Sequence, residues 1–185
     1  RKPLIVMTPK SLLRHKLSVS AKEDLEQGFF REVIDELDDL ISEDIHRIVF
    51  CSGKVYFDLL EQRRASEIRN VAIVRIEQLY PFPSEKYASI IGRYSNAAEI
   101  VWCQEEPQNQ GAWYQIRHRL QVPLQRQELL YAGREPAAAP AAGIMQLHVA
   151  QQRGLVTAAL TATTKEESAR ETSRLKENGG TGQKS

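Results

Sequence analysis

RIVFCSGKVYFDLLEQRR, residues 47–64, decides how the rest of this chain is read. Its first five residues, Arg47–Cys51, are nearly continuously apolar, the pattern of a strand buried on both faces. Ser52-Gly53 supplies a turn, and Val55, Leu59 and Leu60 then recur at helical spacing. Four more short apolar runs, Leu4–Thr8, Val71–Ile76, Glu99–Gln104 and Leu129–Ala132, read as strands of the same kind. Helical stripes lie between them. One starts at Phe29 and continues through Phe30, Val33, Ile34, Leu37 and Ile41. Another carries Tyr87, Ile90, Ile91 and Tyr94 behind Pro81 and Pro83. A further stripe has Trp113, Ile116 and Leu120 behind Gln110-Gly111. Strand and helix patterns alternating at these lengths predict an α/β fold in three layers, a five-stranded sheet with helices on both faces.

The remainder sets bounds. With 25 Lys+Arg against 24 Asp+Glu over 185 residues, the net charge of +1 excludes a strongly basic nucleic-acid binder as the default. No run reaches the ~18 apolar residues of a membrane-spanning helix. Cys51 and Cys103 have no CxxC partners, and His15, His46, His118 and His148 form no HxxxH pair, so neither a disulfide framework nor a metal site is expected. Glu135–Gly143, EPAAAPAAG, reads as an extended connector, because Pro136 and Pro140 lack backbone donors and pull their predecessors out of helix. A closing helix is predicted from Met145, Val149, Leu155, Val156 and Leu160. From Thr163 the chain is polar and charged, which divides it into a domain over 1–162 and a tail over 163–185 expected to be disordered. The opening Arg1-Lys2-Pro3, without a start Met, is the expected look of a piece of a longer protein.

Three groups could carry chemistry. Ser52-Gly53-Lys54 follows a strand and opens a helix, where backbone N–H groups and a lysine could seat a phosphate, though a plain tight turn explains it better. Gln104-Glu105-Glu106-Pro107-Gln108-Asn109-Gln110-Gly111 follows the fourth run, at the end of a sheet where ligands and partners gather. Glu105, Glu106 and Gln110 are read as capping or interface residues ahead of acid/base catalysis. Lys10, Arg14, Arg31, Lys54, Arg63, Arg64 and Arg75 could converge on an anion or remain solvated charges.

Five stretches together carry more: KPLIVMTPKSLLRH (2–15), CSGKVYFDLLEQRR (51–64), VAIVRIEQLYPFP (71–83), VWCQEEPQNQGAW (101–113) and YAGREPAAAPAAG (131–143). Over about residues 2–160 the chain resembles the C-terminal domain of the E1 component of 2-oxoglutarate dehydrogenase, in the thiamine-diphosphate-dependent transketolase superfamily. The resemblance implies a largely parallel sheet with one antiparallel strand. It implies a homodimeric parent that decarboxylates 2-oxoglutarate and passes succinyl to the lipoyl group of an E2 succinyltransferase in the tricarboxylic acid cycle. Thiamine diphosphate and Mg²⁺ would bind in preceding domains, since no GDG…N motif or suitable acidic cluster is present here, so the chain alone would be inactive. The setting would be a bacterial cytoplasm or a mitochondrial matrix, without nucleic acid or membrane.

Some members bind AMP or acetyl-CoA in this domain, and Thr8, Arg14, Arg31, Lys54 and Arg75 are the matching candidates. Tyr114-Gln115 leave the Trp113 motif without a following basic residue, which counts against acetyl-CoA. The competing reading is a stand-alone α/β module for a nucleotide-like anion such as AMP or an acyl-CoA. For the first reading, apolar surface should be exposed, and the isolated chain should dimerise or aggregate.

Overall fold

The computed structural model describes residues 2–161. Five strands form one sheet: β1 (Val33–Ile34), β2 (Arg47–Cys51), β3 (Val71–Ile76), β4 (Glu99–Pro107) and β5 (Glu128–Arg134). Their order is β1-β3-β2-β4-β5. β2 to β5 run parallel, while β1 pairs antiparallel with β3, Val33 opposite Ile76 and Ile34 opposite Arg75. The reason β2 reads as continuously apolar is now visible: all five of its residues are buried, flanked by β3 and β4 and covered on both faces.

Alternation along the strands divides the core in two. Ile48, Phe50, Ala72, Val74, Ile100 and Trp102 point to one face. There they meet α3 (Ser84–Arg93) and α4 (Trp113–Gln121) through Tyr87, Ile90, Ile91, Ile116 and Leu120. Val49, Cys51, Val71, Ile73, Val101 and Cys103 point to the other. That face is covered by α2 (Val55–Ala65) and α5 (Met145–Leu160) through Val55, Tyr56, Leu59, Leu155, Val156 and Ala159. The three-layer α/β arrangement is therefore present. From β2 the chain goes through α2 to β3 on one side, then returns through α3 to lay β4 on the other side of β2. The strand order reverses between β2 and β4, the place where open α/β sheets leave a crevice at their carboxyl ends.

Two expectations fail at the N-terminal end. Leu4–Thr8 is not a strand, and Leu4, Ile5, Val6 and Met7 are 68–90% exposed. The expected helix over Phe29–Ile41 is also absent. Val33–Ile34 supplies the fifth strand there instead, with short helical turns at α1 (Lys22–Glu26), Lys10–Arg14 and Ser42–Asp44. Val33–Ile34 takes the edge of β3, and Leu4–Thr8 pairs with no strand among the described residues. β4 is also longer than expected, so Glu105 and Glu106 lie on a strand, across a register irregularity between Cys103 and Pro107, and not in a loop. The proposed tail, 163–185, lies outside the described residues.

Candidate functional site

Lys54, one residue before α2, and Glu105, near the end of β4, meet at the crevice between β2 and β4. Lys54 Nζ lies 2.8 Å from Glu105 Oε1 and 2.9 Å from Asp58 Oδ2. Burial acts to lower the lysine's pKa, but the two carboxylates outweigh it and hold the ammonium above its ordinary value. Gln152 on α5 donates to both Asp58 and Glu105, at 2.7 and 2.9 Å. Arg134, buried at the end of β5, donates to the Glu105 carbonyl at 2.8 Å and to Gln152 Oε1 at 2.9 Å, and its Nη2 lies 3.2 Å from His148 Nδ1. This position, where doubly wound sheets take ligands, is filled by the protein's own charges. Its chemistry is a clasp between α2, β4, β5 and α5.

Beside it, Gln104 carries a role the sequence did not disclose. Its side chain is buried, and Oε1 accepts from Trp102 Nε1 at 2.9 Å and from the Trp113 backbone N–H at 3.1 Å. Its Nε2 donates to the carbonyls of Glu106, Pro107 and Gln110. Gln104 thus satisfies a backbone donor at the start of α4. Capping by Glu105, Glu106 or Gln110 is overturned: the side-chain acceptor at the start of α4 is Gln104, while the Glu105 carboxylate holds Lys54, Glu106 is exposed, and the Gln110 side chain donates to Ala137 O. Gly111, at φ +64°, turns the chain there, and a Cβ would come within 2.9 Å of the Gln104 amide.

On the outer side of α2, Arg63 is 1% exposed and pairs with Glu36 and Asp38. It also donates to the Val71 carbonyl, while Glu36 accepts the Ile73 N–H at 2.7 Å. Arg64 closes on Asp38 as well. The Arg64 hydrogen bond, helped by Arg63 against the opposing effect of burial, holds the Asp38 carboxyl down at about 2. The next feature along the sheet is a cavity of about 380 Å³ lined by Lys16–Ser20, Leu37, Tyr56, Phe57, Leu60, Arg64 and Arg75.

The five candidate anion residues do not converge. Arg75 lines that cavity and the other four do not. Lys54 is bound in the crevice, Arg31 pairs with Asp24 at 2.8 Å, and Thr8 and Arg14 are exposed on the N-terminal segment. Cys51 and Cys103 are buried opposite one another in register, and burial pushes both thiols well up, so neither is a nucleophile. Among the described residues, no group of three or more His, Cys, Asp or Glu side chains could hold a metal ion, and no helix is long and apolar enough to cross a membrane. Gln104, Arg134 and Gln152 escaped the sequence reading because each works through contacts distant in the chain. Only the strand ends on which the first two sit were foreseeable.

Fold and crevice together define an α/β domain in which the usual ligand position of such sheets is occupied by the protein's own side chains. The chain belongs to the 2-oxoglutarate dehydrogenase C-terminal family, whose model matches residues 19–160. It is 53% identical over 161 residues to the 2-oxoglutarate dehydrogenase E1 component of Haemophilus influenzae, a match covering 86% of this chain and 17% of that protein. Against the E1 component of Azotobacter vinelandii the identity is 51% over 165 residues, covering 87% of this chain and 18% of that one. The Cupriavidus necator E1 component is 48% identical over 160 residues, covering 86% and 17%. The chain thus spans about a sixth of the length of these relatives.

Proposed function

We propose that this chain is the C-terminal domain of a 2-oxoglutarate dehydrogenase E1 component, acting in dimer and domain packing with no chemistry of its own. The 53% identity over 161 residues to an E1 component is the observation that carries it. The parent would decarboxylate 2-oxoglutarate and pass succinyl to the lipoyl group of E2, as a homodimer in a bacterial cytoplasm, the bacterial relatives favouring this over a mitochondrial matrix. Thiamine diphosphate and Mg²⁺ would serve that chemistry elsewhere in the parent. The acidic groups of this domain do not fit them: Glu105 and Asp58 are tied to Lys54 and Gln152, and Glu36 and Asp38 to arginines.

For an AMP or acetyl-CoA effector, the candidates stay Thr8, Arg14, Arg31, Lys54 and Arg75. An anion would have to displace Asp24 from Arg31 and Glu105 and Asp58 from Lys54, while Arg75 lines a cavity the others do not. Glu106, exposed on β4, stays a candidate contact for a partner surface.

The test is a chimera in which this chain replaces the matching C-terminal stretch of the Haemophilus influenzae E1 component. Retained 2-oxoglutarate-dependent activity, lost on deletion of the stretch, is expected. A folded dimeric chimera without activity overturns the proposal. Titration of the chimera with AMP and acetyl-CoA, before and after Arg31→Ala, checks the effector assignment separately.

A further inference from the structure

We propose that the outer flank of α4, with the turn that follows it, docks an acidic segment of a partner protein. From Pro107 to Gln127 the chain carries no Asp or Glu, yet Arg117, Arg119 and Arg126 all fall within that stretch. All three are exposed, and among the described residues none of them enters an ion pair. Arg31, Arg64 and Arg93 are exposed too, and each of those holds an aspartate. In a chain of net charge +1, the α4 flank is therefore a local excess of cations with no carboxylate to answer it.

The flank is also built from contact-forming side chains. Trp113, Ile116 and Leu120 hold α4 on the sheet, on the face opposite α2 and α5. Tyr114, Arg117, His118 and Gln121 are left at helical spacing along one exposed side. The Tyr114 ring is 51% exposed, and the Arg117 guanidinium lies 5.2 Å from its centroid. Val122, at the end of the helix, is 80% exposed. Arginine and an aromatic side by side are the residues that protein interfaces favour. The helix dipole favours cations in the last turn, which accounts for His118 and Arg119. It accounts neither for Arg126, beyond the helix, nor for the exposed ring in the first turn. A carboxylate can engage the guanidinium fork of Arg117 while the ring supports it, and an apolar neighbour on the partner can cover Val122. A nucleic acid strand fits less well, because it would use Tyr114 as a stacking platform and Arg117 already lies over that ring.

The test is NMR titration of the full 185-residue chain with a short glutamate-rich peptide bearing one leucine per helical turn, and separately with a single-stranded RNA of equal charge. Saturable shifts confined to the amides of residues 113–127 are expected with the peptide, weakening as salt is raised. Arg117→Glu should reduce the affinity at least about tenfold. Arg153→Glu, at an exposed arginine on α5, should leave it unchanged. The proposal is overturned by no saturable shift, by shifts centred elsewhere, or by tighter binding of the RNA. It is overturned equally by peptide affinity that survives Arg117→Glu combined with Arg126→Glu, or that falls as far in Arg153→Glu as in Arg117→Glu.

Discussion

Residues 2–32 and residues 45–107 both contain strand-like apolar runs, and they meet opposite fates. Ile48 and Phe50 are fully buried, whereas Leu4, Met7 and Phe29 are 78–90% exposed. Composition does not separate Leu-Ile-Val-Met from Ile-Val-Phe-Cys. Neighbours do: β2 has a strand on each side and a helix on each face, and the first run has no strand partner among the described residues. The family model starts at residue 19, so the exposed run also lies outside the matched domain. Burial is thus a property of a position in a sheet, and a run records only readiness for it.

The sharpest way to break this contrast is at the joint between the two regions. Arg63 pins Glu36 and Asp38, and thereby the segment around β1, against α2 and β3. Arg63→Met strands the buried Glu36 carboxylate, and a loss of about 3–5 kcal/mol is expected by urea denaturation. Inside the core, Gln104→Ala leaves the Trp102 indole N–H and the Trp113 amide without their acceptor. A loss of about 2–3 kcal/mol should appear, with a changed near-ultraviolet tryptophan signal.

Acid sharpens the joint again. Asp38 is held at about 2 in the folded protein, below its ordinary 3.8. A depressed carboxylate stabilises above its unfolded pKa, so about 2 kcal/mol present at neutral pH should fade as pH drops from about 4 through 2. Asp38→Asn should flatten that part of the stability profile. At the other extreme, replacing Leu4 and Met7 by Ser should move the midpoint of unfolding by no more than about 0.5 kcal/mol while reducing self-association in sedimentation. A large destabilisation there would show that the run is already covered.

Legibility follows the same division. β2, β3, β4 and β5 and the helices α2, α3, α4 and α5 were readable because the apolar periodicity of each matches how it is covered. The segment 29–41 misled because Val33, Ile34, Leu37 and Ile41 keep helical spacing, while tertiary pairing with β3 and the Glu36–Arg63 contact draw the backbone out straight. Of the site, Lys54 and Glu105 could be singled out by their strand-end positions. Their mutual pairing could not, because it depends on which strands are neighbours.

Arg47 opens β2, and its guanidinium reaches across to the carbonyls of Ala158 and Ala159, in the last turn of α5, while Nε holds Glu99. The first contact spans 111 residues. A ribosome therefore releases the first central strand long before the helix that covers its Val49 face exists. Until α5 emerges, that face of the sheet and one buried cation stay open to water and to chaperones. The Val49 face is closed only when α5 packs on it, so a chain cut within that helix would leave the face exposed.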